Sequence, residues 1–165
     1  MIHRPAYPPR ETRLVMRSVL IALLPGIVAM SLFFGAGVLL NLATAIVTAL
    51  LSEALCLKLR HRNIQPRLSD WSVVLTGVLI ALSLPQAAPW WLTIAATASA
   101  VILGKHLYGG LGQNPVNPAM LGYALILISA PLAMTTLWIN PLNPPDVEAA
   151  WMAFIGHHSD AYTGA

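Results

Sequence analysis

One acidic residue, Glu53, lies inside an apolar stretch of this sequence, and its position suggests chemistry. A carboxylate inside a membrane span is costly, and such residues often handle ions. Glu53 is also only about one helical turn from the basic residues Lys58 and Arg60. The sequence therefore leaves two interpretations open: an interfacial acid that snorkels or pairs with those basic residues, or a residue that handles a cation.

Small polar residues precede Glu53 at spacings that place them on one face of a helix. They are Asn41, Thr44, Thr48 and Ser52. In a lipid bilayer such a face turns toward other helices or toward a watery cavity. The pattern predicts either hydrogen bonding between helices or the lining of a permeation path.

A segment rich in Gly, Asn and Pro, residues 104–119, is the densest motif of the chain. It contains no Gly-Lys-Ser/Thr, so it does not form a phosphate-binding P-loop. Asn117 can cap a following helix, with Pro118 at the first helical position. From these residues alone, we expect a tightly folded loop that ends in a helix cap.

The histidines and the single cysteine favour no metal centre. His157 and His158 are adjacent without Cys or further His nearby, so we expect a solvated tail there and no metal site. Cys56 is the single cysteine, which excludes an internal disulfide and an iron–sulfur cluster held by this chain alone.

The composition is that of an integral membrane protein. Of the 165 residues, 57% are apolar and only 9% are charged, whereas soluble domains carry about a quarter charged residues. No Asp, Glu, Lys or Arg occurs in 18–52, 71–104 or 106–145. The basic residues flank these stretches, so membrane topology explains the net charge of +3, and we expect no nucleic-acid partner.

We predict an all-α integral membrane protein with about five transmembrane helices. The predicted spans are 18–34, 38–57, 71–84, 90–103 and 119–138, and Gly35 and Gly37 are expected to make the break between the first two. The third and fourth have about 14 residues each, roughly 21 Å, which is less than the ~30 Å hydrocarbon core. They either extend at their ends or form a re-entrant hairpin. Pro131 is expected to kink or end the fifth span.

The positions of the basic residues predict the orientation. All nine Lys and Arg residues fall in 1–17, 58–70 and 104–118. Two spans separate each segment from the next, so all three lie on one side of the membrane. Basic residues favour the inside, which makes residues 1–17 a cytoplasmic tail. The transmembrane domain is then 18–138, and 139–165 is an outer-face (periplasmic) tail. Because the number of spans is odd, a second similar set would be inverted, as recurs in transport proteins.

The Gly-rich segment resembles the signature of a known family. This family comprises the D subunit of the Rnf ion-translocating electron-transport complex and its relative, the B subunit of the sodium-pumping NADH:quinone oxidoreductase. The matching residues include Lys105, Tyr108, Gly109, Gly110, Gly112, Asn114 and Asn117. Parts of 53–60, 75–85 and 88–91 resemble the family too, so the resemblance covers essentially the whole chain.

The resemblance implies a fold and a function. The fold is one half of a ten-helix protein made of two inverted five-helix repeats, in the bacterial inner membrane. The function is to couple electron transfer, between NADH and ferredoxin or a quinone, to ion movement. Its partners are the other membrane and redox subunits of such a complex and membrane lipid. The chain is then a non-autonomous subunit of a translocase.

The resemblance also implies FMN, joined by a phosphoester bond to a threonine on the outer side. The family's acceptor motif is Asp-x-x-Ser/Thr-x-Ala-Thr. Asp160, Thr163, Gly164 and Ala165 fit this motif up to its final threonine, which would follow Ala165. We therefore expect these four residues to flank the flavin site of a longer protein, of which this chain is an incomplete copy.

Two other functions stay open from the sequence. One is half of a channel-like or transporter-like protein without redox chemistry, and the other is a fragment without a function of its own. Polar helix faces and inverted repeats suit the first of these as well as they suit an Rnf subunit. The loop 109–119 and the tail 160–165 favour the redox complex.

Overall fold

The computed structural model describes residues 9–62, 68–108 and 114–157, and regular structure within them is helical throughout. The helices are α1 (Pro9–Phe34), α2 (Gly37–Leu59), α3 (Ser72–Ser83), α4 (Trp90–Ser99), α5 (Pro118–Ser129), α6 (Pro131–Thr136) and α7 (Val147–Phe154). A π-helical segment, Ala100–His106, continues α4 without a break. The predicted all-α class is confirmed.

Two of the described helices are long and apolar enough to cross a membrane. They are α1, over Glu11–Phe34 with 24 residues, and α2, with 23 residues. The apolar helices α3 and α5 have 12 residues each, which is short for a span. The count of five transmembrane helices therefore remains a prediction.

The breaks predicted from Gly, Asn and Pro are confirmed. Gly35 separates α1 from α2 with a φ of 80°, which glycine adopts without steric cost. The Asn117 side chain caps α5 by accepting a hydrogen bond from the Ala119 amide at 2.9 Å. Pro131 follows the end of α5 and begins α6, because it cannot continue the hydrogen-bond pattern of the preceding helix.

Several boundaries differ from the prediction. The first helix begins at Pro9, well before the predicted span at 18. Helical structure after α4 continues to His106, although the sequence predicts a loop from Gly104. The polar residues at the end of this helix are buried by side-chain partners, which a hydropathy pattern does not show.

Helix α7 was not predicted. The Asp146 side chain caps it by accepting a hydrogen bond from the Ala149 amide at 2.7 Å. Ala150 and Ala153 are buried, and Ala153 packs in a cluster with Ala87, Leu137 and Ile139. This part of the segment predicted to be a tail is thus folded against the helices.

The apolar core lies between α3, α4 and α5. Its members include Ile80, Leu92, Ala96 and Ile126. Small residues allow close helix approach, since a Cβ added to Gly122 would lie 2.5 Å from the Ala96 carbonyl oxygen. By contrast, the apolar window of α1 is 0% buried, which is the surface that a bilayer solvates.

The helices α2 and α4 run parallel to each other. Near the start of each helix, Thr93 donates a hydrogen bond to Asn41, and at the far end Lys105 donates to Glu53. The interface of α2 with α4 and its π-helical continuation therefore carries a polar contact at each end. These two contacts define the candidate site.

Candidate functional site

Glu53 lies at the centre of a buried ionic cluster, which we define as Glu53, Lys105 and His106. Glu53 Oε1 accepts a hydrogen bond from Lys105 Nζ at 2.9 Å, and Oε2 lies 2.8 Å from His106 Nε2. Glu53 is 1% exposed, and both basic residues are 4% exposed. When Glu53 is ionised, His106 must carry a proton on Nε2, because a carboxylate only accepts.

The predicted pairing of Glu53 with Lys58 or Arg60 was wrong. Both of those residues are exposed. Because α2 and α4 run parallel, Lys105 lies at the level of Glu53. Glu53 therefore forms its ion pair with Lys105 from another helix. The second interpretation, that Glu53 handles a cation, stays open.

The π-helical segment contains both basic residues of the ionic cluster. Lys105 and His106 are its last two residues, and they reach the two different oxygens of one carboxylate. A π-helix holds more residues per turn than an α-helix, so it changes the direction in which the following side chains point. Such segments are rare and occur frequently at functional sites.

A strained turn supports the cluster from α3. Lys105 Nζ also donates to Ser72 Oγ at 3.0 Å, and Ser72 Oγ donates to Asp70 Oδ1 at 2.7 Å. Between them Trp71 has a φ of 64°, in the left-handed region that costs a bulky residue roughly 1–2 kcal/mol. Strain of this kind is retained where the surrounding contacts fix it, often at functional sites.

A second buried cluster, which we call the amide cluster, lies at the other end of the interface. It consists of Asn41, Gln86 and Thr93, each at most 4% exposed. Asn41 Nδ2 donates to the carbonyl oxygens of Pro85 and Gln86 at 3.2 and 3.3 Å, and Thr93 Oγ1 donates to Asn41 Oδ1 at 2.8 Å. The cluster is neutral, and it joins α2, α4 and the turn before α4.

The amide cluster also holds the segment after α6. Gln86 Oε1 accepts from the Ile139 amide at 3.3 Å. The predicted hydrogen bonding between helices is thus confirmed for Asn41, whereas Thr44 donates to the Leu40 carbonyl of its own helix. Only some of the polar side chains on this face of α2 therefore form hydrogen bonds to other helices.

Comparison with known proteins decides the family. The sequence model of the NQR2, RnfD, RnfE family matches residues 6–165. The chain belongs to this family. It is 48% identical over 153 residues to the D subunit of the ion-translocating oxidoreductase complex of Salmonella arizonae. It is 47% identical over 153 residues to the protein of the same name of Salmonella typhimurium. Both alignments cover 90% of this chain and 43% of the relative, so the chain spans less than half of their length.

The structure places some of the predicted signature residues of the NQR2, RnfD, RnfE family. Lys105 belongs to the ionic cluster, and Asn117 caps α5. Tyr108 is exposed just after the π-helical segment, and Asn114 is half-buried. Gly109, Gly110 and Gly112 lie outside the described residues.

The predicted flavin-flanking residues Asp160, Thr163, Gly164 and Ala165 also lie outside the described residues. His157, one of the adjacent histidines, is exposed. Within the described parts of this family member, no group of three or more His, Cys, Asp or Glu side chains is arranged to hold a metal.

Three residues of the site, His106, Ser72 and Asp70, were not predicted as its members or supports. The one available signal was the polar pair Lys105-His106 at the end of an apolar run, which by itself indicates the start of a loop. Only the packing of α2, α3 and α4 shows that these side chains converge on one carboxylate.

Proposed function

We propose that this chain is part of a membrane subunit of an Rnf-type complex that couples electron transfer to ion translocation across the bacterial inner membrane. The observation that carries the proposal is the ionic cluster, a fully buried carboxylate with two basic partners inside a membrane-length helix. Ionisable residues within membrane spans are costly and commonly mark ion pathways. The name of the relatives, ion-translocating oxidoreductase, supports the same function.

In this proposal Glu53 is the residue that handles the cation. Its two oxygens accept from Lys105 and His106, which satisfies the buried negative charge. A carboxylate has further lone pairs. An incoming cation that takes the place of one of the two donors would keep the negative charge of Glu53 compensated. The cation is sodium or a proton, and uptake measurements at varied sodium and pH distinguish them.

The proposed orientation places the N-terminus in the cytoplasm. The ionic cluster then lies toward the cytoplasmic end of α2, close to the exposed basic residues Lys58 and Arg60. The amide cluster and α7 lie toward the periplasmic end. Cysteine labelling of intact cells tests this topology: a cysteine introduced at exposed Asn143 should react with an impermeant reagent, and one at Arg60 should not. The reverse pattern would contradict the orientation.

FMN is part of the proposal for the complete gene product. When bound, it would accept electrons in pairs and release them singly. The proposed acceptor is a threonine encoded directly after Ala165, with Asp160 and Thr163 in the flanking motif. Sequencing beyond codon 165 and in-gel flavin fluorescence of the product test this. Fluorescence that persists after that threonine is replaced by alanine would refute the acceptor.

The function itself is tested in the native membrane. We expect the tagged gene product to co-purify with further membrane and redox subunits. We also expect deletion of the gene to abolish ion uptake driven by NADH or ferredoxin oxidation in inverted vesicles, and complementation to restore it. A product that purifies alone, with redox-driven uptake unchanged by its deletion, would favour a transporter half or an inactive fragment.

A further inference from the structure

The two donors of the ionic cluster are anchored unequally. Lys105 Nζ donates to Glu53 Oε1 at 2.9 Å and to Ser72 Oγ at 3.0 Å, so its ammonium joins α2 to the start of α3. His106 Nε2 lies 2.8 Å from Glu53 Oε2, and this is the hydrogen bond that its ring makes with the described residues. Loss of the contact with Glu53 therefore releases the imidazole, whereas Lys105 keeps a second partner.

Ser72 is itself fixed by Asp70. The Ser72 hydroxyl donates to Asp70 Oδ1 at 2.7 Å, and the Ser72 amide donates to the same oxygen at 2.9 Å. Because the hydroxyl proton is directed at Asp70, the Ser72 oxygen presents its lone pairs to Lys105. Lys105 is thus held between two carboxylates, by Glu53 directly and by Asp70 through one hydroxyl. To move it away would leave a buried ammonium without these partners, which is costly.

The charges of these groups favour the same order. Glu53 and Asp70 are negative when ionised, Lys105 is positive, and a neutral His106 donates from Nε2. With two negative groups and one positive group, this network accommodates one further positive charge. A cation that replaced Lys105 would expel a charged group from a buried site, whereas a cation that replaced His106 would expel a neutral ring.

We propose that an incoming cation takes the place of His106 on Glu53 Oε2, while Lys105 stays on Oε1. The proposal rests on the proposed function, in which Glu53 handles the cation, and it identifies the donor that yields. His106 is the last residue of the π-helical segment, and the next two residues, Leu107 and Tyr108, are exposed. His106 then sets the affinity of the site, because the cation must compete with its hydrogen bond to the carboxylate.

Removal of the competing donor should tighten cation binding. Redox-driven uptake is measured in inverted vesicles that carry the complete gene product in its complex, in a sodium series at fixed pH and in a pH series without sodium. From the usual strength of a hydrogen bond to a charged group, His106→Leu should lower the half-saturating concentration of the cation that drives uptake by roughly tenfold or more. His106→Gln, which keeps an N–H donor, should stay near the parental value, as should the exposed control His157→Leu. An unchanged value for an assembled His106→Leu variant would overturn the proposal.

A serine variant tests whether Lys105 is the fixed donor. Ser72→Ala removes the anchor between Lys105 and Asp70 and keeps both members of the pair with Glu53. If Lys105 stays on the carboxylate throughout, the half-saturating concentration should not fall. If Lys105 were the donor that yields, loss of its anchor would ease its exit and lower the value. Ser83→Ala, exposed at the other end of α3, is the matched control, and a fall for Ser72→Ala alone would overturn the proposal.

Structures of the complex with and without saturating cation locate the exchange directly, also if His106→Leu does not assemble. We expect the cation to separate Glu53 Oε2 from His106 Nε2 beyond hydrogen-bond distance and to leave the contact of Oε1 with Lys105 intact. The opposite pattern, or no change at either oxygen, would overturn the proposal.

Glu53→Gln separates this inference from the proposed function. Parental uptake by an assembled Glu53→Gln variant would refute the role of Glu53 itself. Loss of uptake in that variant, together with the contrary result for His106→Leu or Ser72→Ala, would refute the exchange at His106 alone.

Discussion

The two ends of the α2–α4 interface use buried polar groups in different ways. The amide cluster holds the helices with neutral hydrogen bonds, each of which contributes about 0.5–1.5 kcal/mol. The ionic cluster directs two basic side chains onto one carboxylate, and removal of one partner from a buried ion pair costs about 3–5 kcal/mol. The amide cluster therefore fixes the packing of the two helices. In the ionic cluster, the stability depends strongly on whether the Glu53 carboxylate has its charged partners.

The largest expected effect is that of Glu53→Gln. The substitution leaves the Lys105 ammonium buried without its carboxylate, so we expect a loss of about 3–5 kcal/mol in the free energy of unfolding. Chemical denaturation of the complete gene product in detergent measures this. The control is Glu148→Gln on α7, which is exposed and should change stability little. Equal stability of both variants would show that the ionic cluster is not formed.

A double variant separates the charge imbalance from the loss of contacts. Lys105→Met added to Glu53→Gln removes both charges, so the two losses should not add, and we expect a coupling energy of about 1–3 kcal/mol. A double-mutant cycle on unfolding free energies measures it. Lys58→Met is the matched control, because Lys58 is exposed and should add no coupling. Additive losses for Glu53 and Lys105 would contradict the ion pair.

At the other end, Asn41→Leu should cost less than Glu53→Gln. It removes the bonds to the Pro85 and Gln86 carbonyls and leaves the Thr93 hydroxyl without its acceptor, for a loss of about 1–3 kcal/mol. Ion uptake per folded protein should remain near the parental rate. If Asn41→Leu abolishes uptake and Glu53→Gln leaves it unchanged, the assignment of packing to the amide cluster and of ion handling to the ionic cluster is wrong.

An effect of similar size is expected at a glycine next to the ionic cluster. A Cβ on Gly104 would lie 2.8 Å from the Pro118 Cα atom, so Gly104→Ala should destabilise by about 1–3 kcal/mol through overpacking. Gly26 in α1 is the control, since nothing lies within 4 Å of a Cβ there. Gly26→Ala should be neutral or stabilising by up to about 1 kcal/mol. Thermal melts of both variants measure the difference, and equal shifts would contradict the close approach at Gly104.

Hydropathy and turn chemistry were enough to predict much of the fold. Charge-free stretches located most of the helices but not α7, and Gly35, Asn117 and Pro131 marked breaks that the structure confirms. These signals are local, because a glycine, a cap or a proline acts on its own turn of the chain.

The partners of Glu53 were not predictable by the same reasoning. Lys105 and His106 are far from Glu53 in the chain, and the nearby Lys58 and Arg60 were the obvious alternatives. The choice depends on the parallel packing of α2 and α4 and on the π-helical segment, which no local pattern indicates. For the same reason α7 was missed, since Ala153 packs against residues that are distant in the chain, such as Ala87.

Redox-driven ion uptake tests directly whether Glu53 handles the translocated cation. Inverted vesicles carrying the complete gene product, its Glu53→Gln variant or its Glu148→Gln variant are compared at equal amounts of folded, complex-bound protein. If Glu53 handles the cation, Glu53→Gln reduces uptake to the level of vesicles without the subunit, while Glu148→Gln retains the parental rate. Parental uptake by a correctly assembled Glu53→Gln variant would contradict that role.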